Sequence, residues 1–384
     1  MKSCLKNFPL IFFILIVLYG CSNQTISEER ATLAEQNQEV ITIGVAWPFE
    51  SANDLFWEGV ELAVNEINEN GGVLDRQIEI LKKDDQATVT KGLEIAQEFA
   101  ENEKITAVIG HRNSYVSIPV SSIYERAGVL MLSPASSSPE LIHEDNKLIF
   151  RNIASDDKVA EELAKFAYKN KHRKIVIIYD DDDYRKGLAN AFEKYAGELG
   201  FDIVDRLSYY SGLSELTQLK YKWENLQYDG IFIAKSNPEG AKLITELRNS
   251  KIDVPLFAGN AMDTSDIWNV MRNEDIEGTV FGSFFNPEST RQKVTRFMTK
   301  FQEKYERTPT QYSVQGYDAV YLLIEAIKNA ETTVSEKIAT ALREMDDYEG
   351  VAGIHNFGGS GNDIGELVVI KQAKNGKFDY LSIQ

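Results

Sequence analysis

Hydroxyl-rich segments follow two consecutive predicted strands of this sequence. One runs from Gly110 to Tyr115 (GHRNSY) and the other from Ser133 to Glu140 (SPASSSPE). Each places hydroxyl groups and backbone amides just before a predicted helix, where unpaired N–H groups and the helix dipole favour an anion. Capping is the alternative explanation, since Ser138 is followed by a proline and an acid, as a good helix N-cap is. We expect a site that uses these groups both as caps and as ligand donors.

The run from Asp180 to Asp183 suggests a cation site, but the spacing argues against one. An EF-hand loop needs a glycine at its sixth position and an acid at its twelfth, where Ala191 stands. The four histidines are His111, His143, His172 and His355. They lie far apart, with no spacing that would place two of them on one metal ion, so we predict no metal. The sequence also has no nucleotide-binding loop and no nucleophile elbow, which indicates a protein without a cofactor that is not an enzyme.

Strands and helices alternate along the first part of the chain. Residues 40–46 form a β-rich run, and apolar residues from Phe56 to Ile67 then recur on one face of a helix. Further strands are predicted over 78–81, 106–109 and 129–132, with helices between them. This alternation is typical of a parallel sheet covered on both faces. Ligands of such sheets bind at the carboxyl ends of the strands, where the hydroxyl-rich segments lie.

The same alternation begins again after Phe150 and predicts a second sheet. Its strands are predicted over 174–179, 202–207, 230–234 and 254–258, separated by helices. No Pro/Gly linker divides the chain, so we expect crossing strands to join the two parts, with 281–285 as one candidate. The predicted fold class is α/β, with two doubly wound parallel-sheet lobes.

Composition narrows the class of protein. The chain has 384 residues, of which 43% are hydrophobic, and 41 Lys+Arg against 59 Asp+Glu give a net charge of −18. This length favours two domains. This mixture of hydrophobic and charged residues excludes a fibre, a disordered chain and a polytopic membrane protein. The acidic balance, without a basic run, also excludes a nucleic-acid partner.

The N-terminus has the pattern of a secretory signal. Two lysines precede an apolar segment over 8–19 that is too short to span a bilayer, and the segment ends at Cys21. This end resembles a bacterial lipobox, which implies a signal peptide over 1–20 and acylation of Cys21, so that a lipid anchors the exported protein at the cell envelope. A plain signal peptide with an incidental cysteine is the alternative. Residues 21–39 are polar and acidic and predict a flexible tether.

Six segments in order resemble the branched-chain amino-acid-binding branch of the type I periplasmic binding proteins of ABC transporters. They are Ile41–Val45, Gly110–His111, Leu132–Leu141, Phe150–Arg151, Tyr179–Tyr184 and Gly316–Val320. The resemblance implies two lobes joined by three crossings, near Ile153, Gly282 and Gly353. Lobe 1 would contain 40–153 and 284–352, and lobe 2 would contain 154–283 and 353–384. Such proteins close on a small solute and deliver it to an ABC permease.

The resemblance also implies a ligand site. Ser114 matches the ligand serine after the third strand, and Ala135, Ser136 and Ser137 match the segment that holds the carboxylate and ammonium of an amino acid. Tyr184 matches the cleft tyrosine of lobe 2. Hydroxyl groups can donate to a carboxylate, and the carbonyl of Ala135 can accept from an ammonium.

The sequence departs from that family at several site positions. Lys235 begins a polar segment where the family has an aromatic pair, and the ammonium-binding acid aligns with Ala261 or, after a shift, with Asp263. Arg112 adds a second positive charge, and Trp47 adds aromatic surface. These departures predict a polar or acidic amino acid or carboxylate as the solute, rather than leucine, isoleucine or valine.

Two uses of this cleft stay open at the level of sequence. Capture for an ABC permease and sensing for a membrane signalling or cell-envelope partner would need the same cleft and differ only in the outer surface. An enzyme on a doubly wound scaffold is a more distant alternative, because fold alone does not define function.

Overall fold

Two β-sheets, one in each lobe, organise the protein. The computed structural model describes residues 26–36, 40–209, 212–264, 267–366 and 368–381. The predicted signal peptide and Cys21 lie outside these residues. Within the described ranges, every helix is too short or too polar to cross a lipid bilayer.

The first segment of the chain builds the sheet of lobe 1. Its elements are α1 (Ile26–Gln36), β1 (Val40–Trp47), α2 (Phe56–Glu69), β2 (Gln77–Asp84), α3 (Val89–Glu101), β3 (Ile105–Gly110), α4 (Ser114–Ala127), β4 (Leu130–Ser133) and β5 (Ile149–Arg151). The strands lie in the order β2-β1-β3-β4-β5 and pair in parallel. Every residue of β3, β4 and β5 is buried, as expected for strands with helices on both faces.

The second segment builds the sheet of lobe 2. Its elements are α5 (Asp156–Lys169), β6 (Lys174–Tyr179), α6 (Asp183–Leu199), β7 (Asp202–Leu207), α7 (Leu213–Leu226), β8 (Gly230–Ala234), α8 (Glu239–Asn249), β9 (Leu256–Ala258), α9 (Ile267–Val270), α10 (Asn273–Ile276) and β10 (Val280–Ser283). The bounds of β6, β7 and β8 are those that the sequence predicts. Phe192 stacks on Phe232 with ring centroids 3.9 Å apart, in the core that joins α6 to the sheet.

The third segment returns to lobe 1 and the last one ends in lobe 2. Their elements are α11 (Gln292–Tyr305), α12 (Gln311–Ala330), α13 (Ser335–Arg343), β11 (Tyr348–Glu349), β12 (Ile354–His355), β13 (Val369–Lys374) and β14 (Lys377–Leu381). Helix α12 packs against α2, and its buried face completes the core of lobe 1. β13 and β14 are antiparallel and give the second sheet the order β14-β13-β10-β9-β8-β6-β7.

The last crossing lies further along the chain than the position near Gly353 that the sequence predicts. His355 is buried in lobe 1, where Nδ1 lies 2.5 Å from Asp363 and Nε2 lies 3.2 Å from Asp318. Burial would lower the pKa of His355, but the two carboxylates raise it to about 10. Phe357 packs in the same core. This buried charge cluster holds 354–363 on lobe 1, so the chain enters lobe 2 only after it.

The expected flexible tether is wrong for residues 26–36, which form helix α1. The expectation rested on the lack of apolar residues in this segment. The helix is instead held by a buried arginine, Arg30, whose guanidinium donates to backbone carbonyls of lobe 1. Composition alone does not indicate that α1 docks through a polar side chain, because the acceptors of Arg30 are backbone groups distant in sequence.

Candidate functional site

A cavity lies between the lobes at the carboxyl ends of the strands. Lobe 1 lines it with Arg112, Asn113, Ser114, Tyr115, Ala135, Ser137 and Tyr312. Lobe 2 lines it with Asp182, Tyr184, Arg185, Ser236, Asn237, Asn260, Ala261 and Thr264. Apart from Tyr312, which lies in the first turn of α12, these residues follow β3, β4, β6, β8 and β9. The position agrees with the rule that open α/β sheets bind ligands beyond their strand ends.

The lobe 1 wall contains three of the predicted ligand residues. Ser114 is the first residue of α4, and its Oγ accepts a hydrogen bond from the amide of Ser138 at 3.3 Å. Ala135 and Ser137 lie in the loop after β4. The helix-capping function belongs to Ser138, whose Oγ accepts from the amide of Glu140 at 3.3 Å. Ser114 and Ser137 therefore line the cavity, whereas Ser138 caps the short 3₁₀ turn that follows.

Ser136 lies beneath the wall rather than in it. Its side chain is fully buried, its Oγ lies 2.6 Å from the Oγ of Ser117, and it donates to the carbonyl of His111 at 3.2 Å. His111 in turn lies 2.7 Å from Asp85 and 3.1 Å from the Tyr124 hydroxyl. Ser136 thus joins the two lobe 1 loops and fixes their relative position.

Tyr184 lies in the lobe 2 wall, as the resemblance implies. Its hydroxyl donates to Oδ1 of Asn260 at 3.1 Å and accepts from the amide of Ala261 at 3.3 Å. Burial, followed by the charge of Asp156, raises its pKa well above the ordinary value. Tyr184 is therefore a neutral hydrogen-bonding group that connects the loops after β6 and β9.

Lys235 and Asp263 do not line the cavity. Lys235 is 8% exposed, and its Nζ forms an ion pair with Asp180. Asp263 forms an ion pair with Lys371 on β13 and accepts from the hydroxyl of Ser283 at 2.5 Å. Both charges are already compensated within lobe 2.

Trp47 is fully buried behind the lobe 1 wall. Its ring stacks on Phe56 with centroids 3.7 Å apart, and its Nε1 donates to Asp54 at 3.1 Å. Asp54 also accepts from Nε of Arg112 at 3.1 Å, and the guanidinium lies over the ring of Tyr312 at 4.7 Å. Burial would lower the pKa of Arg112, but these two neighbours raise it. Trp47 therefore acts on the cavity indirectly, by holding the partner of Arg112.

Asp156 was not predicted from the sequence and lies directly beside the cavity wall. It is the first residue of α5, its amide donates to the carbonyl of Ser137 at 2.9 Å, and its side chain is fully buried. No well-formed hydrogen bond reaches either carboxylate oxygen, although the Ser137 hydroxyl and Arg151 lie close enough to act on the carboxyl group. Burial raises its pKa from 3.8 to about 7, although the Ser137 hydroxyl and Arg151 lower it. The only signal in the sequence is an acid shortly after the first predicted crossing, near Ile153.

Arg151 fixes the loop above this acid. Its Nη1 donates to the carbonyls of Ser137 and Ser138 at 2.8 and 2.7 Å, and its side chain is 1% exposed. Burial lowers its pKa to about 10, so it is charged at neutral pH. Both of these hydrogen bonds are to backbone oxygens, so Arg151 positions the hydroxyl-rich segment while remaining close enough to lower the pKa of Asp156.

In the part of the chain that the structure describes, no three His, Cys, Asp or Glu side chains come together to hold a metal ion. Three of the four acids from Asp180 to Asp183 have other partners, and Asp181 pairs with Lys186 at 2.9 Å. Asp180 pairs with Lys235, and Asp182 caps α6 by accepting from the amide of Arg185 at 3.0 Å.

The sequence pattern of the periplasmic binding proteins matches residues 40–377. The chain belongs to the periplasmic binding protein family. Among curated relatives, it is similar to Leu/Ile/Val-binding protein homolog 2 of Brucella abortus, with 27% identity over 88% of this chain and 93% of that one. That family consists of solute-binding proteins and not enzymes, and it implies an extracytoplasmic location.

Solved structures agree with this assignment. An ABC transporter substrate-binding protein from Desulfitobacterium hafniense, in complex with Leu, superposes with a TM-score of 0.84, has 48% identity and covers 89% of this chain and all of its own. A leucine-binding protein from Thermotoga maritima has 27% identity and a TM-score of 0.80, over 89% of this chain and 98% of that one. The two-lobed type I fold predicted from the sequence of this periplasmic binding protein is thereby confirmed.

Proposed function

We propose that this periplasmic binding protein captures a neutral α-amino acid between its lobes and delivers it to an ABC permease. The observation that carries the proposal is the arrangement of hydroxyl groups on the lobe 1 wall beside the fully buried carboxyl group of Asp156, which Arg151 and the Ser137 hydroxyl compensate only in part. Together they match the two charges of an amino-acid zwitterion.

The α-carboxylate is assigned to lobe 1. Ser114 stands at the N-terminus of α4 and Ser137 lines the loop after β4, so both hydroxyl groups and the first helix amides can donate to one anion. The dipole of α4 adds to this attraction. These are the groups that the sequence analysis assigned to a carboxylate.

The α-ammonium is assigned to Asp156, with the carbonyl of Ala135 as a second acceptor. A carboxylate buried without a partner is unfavourable, and a bound cation would compensate it. Asp263, the acid considered from the sequence, lacks this capacity because Lys371 already neutralises it. Asp156 also lies close to α6 of lobe 2, since a Cβ built on Gly187 would lie 3.9 Å from its Oδ2.

The ion pairs of two cations argue against an acidic solute. The expectation of such a solute depended on Lys235 and Arg112, which pair with Asp180 and Asp54. The charge of each cation is thereby compensated in part, which weakens its attraction for a second carboxylate. The aromatic ring of Tyr312 and the small side chain of Ala261 instead give part of the cavity an apolar surface.

The relatives support the same choice, since the Desulfitobacterium hafniense structure contains Leu and has 48% identity to this chain. We therefore place leucine, isoleucine and valine ahead of glutamate and aspartate. The solute docks first on lobe 1, and closure brings Tyr184 and the loop at Asn260 over it, so contacts from both lobes stabilise the closed form. Acylation at Cys21 would keep the protein at the envelope beside its permease.

Titration calorimetry with the purified protein tests the ligand class. Leucine, isoleucine, valine, alanine, glutamate and benzoate form the panel, and we expect micromolar or tighter binding, at least about −8 kcal/mol, for a neutral amino acid. Benzoate lacks the ammonium and should not bind. Preferential binding of glutamate, or equal binding of benzoate, would contradict the assignment. Loss of uptake of the bound amino acid in cells lacking this protein tests delivery to a permease.

A further inference from the structure

Helix α1 docks at the end of lobe 1 opposite the cavity. Its contacts are with the start of β3, the turn before β4 and the turn before α13. We call this surface the docking pole and define it as residues 100–105, 127–128 and 333–336. The cavity residues follow the carboxyl ends of β3 and β4, so the length of these strands separates the two sites.

Arg30 is the main contact between α1 and the docking pole. It is 6% exposed, its Nε donates to the carbonyl of Ala127 at 3.1 Å, and its Nη1 donates to those of Asn102 and Ile105, each at 3.1 Å. Its Nη2 donates to the carbonyl of Ala100. A guanidinium is the side chain suited to such a set, because its donors form a rigid planar fork.

A close backbone approach fixes the start of the helix. Gly128 has φ 70°, and a Cβ built on it would lie 2.7 Å from Oγ and 2.9 Å from Cα of Ser27. The Ser27 hydroxyl donates to Glu336 at 3.1 Å, and the Thr333 hydroxyl donates to the carbonyl of Ala34 at 3.2 Å. The contacts therefore run along most of the helix.

The apolar contribution to this contact is small. A second opening runs beside α1, between Leu33 and the helices α3 and α4, so this side of the helix is incompletely packed. An isolated helix of 11 residues is marginal in water. Docked α1 thus depends on the polar contacts of Arg30 and can be released as a unit when they are lost.

We propose that α1 is a releasable strap that holds the docking pole of lobe 1 against the lipid surface. The inference rests on acylation of Cys21, as proposed above. With α1 docked, only residues 21–25 connect the lipid to the lobe and can span at most about 18 Å. With α1 released, residues 21–39 can span about 65 Å. Docking would keep the cavity on the side away from the membrane, and release would let the protein reorient.

The test uses the full-length protein, acylated in cells and reconstituted into nanodiscs. Glu69 is exposed at the end of α2, on the same side of the lobe as the docking pole, and Glu69→Cys provides a dye site. Energy transfer from this dye to labelled lipid headgroups reports the distance of the pole from the membrane. Hydrogen exchange of residues 26–36 reports docking. Arg30→Gln is compared with Glu29→Gln, a change at an exposed residue of the same helix.

We expect α1 to be protected in the parent protein and in Glu29→Gln, and to exchange about tenfold faster or more in Arg30→Gln, since several hydrogen bonds to a charged group are lost. Energy transfer should fall only in Arg30→Gln. Rapid hydrogen exchange of α1 in the parent protein, or unchanged energy transfer in an Arg30→Gln protein whose α1 is released, would overturn the proposed strap. Mass spectrometry showing no lipid on Cys21 would also overturn it, whereas leucine binding in the same samples would leave the proposed amino-acid site intact.

Discussion

Replacing Asp156 by asparagine should weaken amino-acid binding and stabilise the empty protein. The carboxyl group is fully buried, and Arg151 and the Ser137 hydroxyl offset only part of the unfavourable free energy of burying its charge. A residue that only supports the fold would lose stability on substitution. Substitution of a residue whose burial is unfavourable without ligand should instead increase stability, because such a residue is retained for binding at the expense of stability.

The stability change follows from the pKa of Asp156. Burial raises this pKa from 3.8 to about 7, so the native state holds its proton more tightly than the unfolded chain. The resulting decrease in the free energy of unfolding is absent below about pH 4, grows between pH 4 and 7, and is complete above pH 7. There it reaches about 4 kcal/mol, at 1.36 kcal/mol per pKa unit. The substitution removes this decrease, but burial of the neutral asparagine amide offsets part of the effect. We therefore expect Asp156→Asn to raise the free energy of unfolding by about 1–4 kcal/mol at pH 8. At pH 4 this increase in the free energy of unfolding should disappear.

The affinity change follows from loss of the charged partner of the ammonium. A hydrogen bond to a charged group contributes about 1.5–3 kcal/mol, which corresponds to roughly ten- to a hundredfold weaker binding. Calorimetry with leucine and chemical denaturation at pH 4 and pH 8 measure the two effects. Asp157→Asn is the matched control, since the adjacent residue is only half-buried and should change neither quantity strongly. Unchanged affinity in Asp156→Asn would refute the ammonium assignment, and loss of stability at pH 8 would refute the interpretation of the buried charge.

Four further outcomes follow from the same site and from the N-terminus. Leucine affinity of the parent protein should fall by up to about tenfold per pH unit below about pH 7, because protonation of Asp156 removes the negative charge, and should be constant from pH 8 to 9. Ser137→Ala should weaken binding roughly ten- to a hundredfold with little change in Tm, whereas Ser138→Ala should lower Tm and keep the affinity. Lys235→Ala should change leucine affinity less than about threefold, and a larger loss would indicate that the Lys235 ammonium contacts the solute. Cys21→Ala should abolish incorporation of labelled palmitate, and label in the variant would contradict acylation at this residue.

Periodicity and strand-end rules predicted much of this architecture. The run over 174–179 is apolar and β-branched, so its bounds as β6 follow from local sequence alone. The hydroxyl-rich segments after β3 and β4 line the cavity because carboxyl ends of parallel strands meet at one edge of the sheet. Short elements were missed, such as β11 and β12 with two residues each, because a pair of residues carries no periodic pattern.

The partners of charged residues could not be predicted in the same way. Lys235 is expected at the solute because it follows a strand at the position of the family's aromatic pair, but its ion pair with Asp180 is decided by two loops that are distant in sequence. Trp47 also follows the rule for strand ends, yet its ring turns inward to stack on Phe56. Position along a strand predicts which residues are near the cleft, and not which way a side chain points.

Arg30 and Asp156 show how the same sequence signal has opposite outcomes. Each is a charged residue of a helix, in a stretch whose polarity suggests solvent exposure, and each is buried. Arg30 is fully compensated by backbone carbonyls, so its burial stabilises a docked element. Asp156 is compensated only in part, by Arg151 and the Ser137 hydroxyl, so burial of its charge remains unfavourable and raises its pKa. The difference lies in how completely acceptors or donors from other elements surround the charge, and a charge beside a cavity that the fold compensates only in part is a candidate partner for an oppositely charged group of the solute.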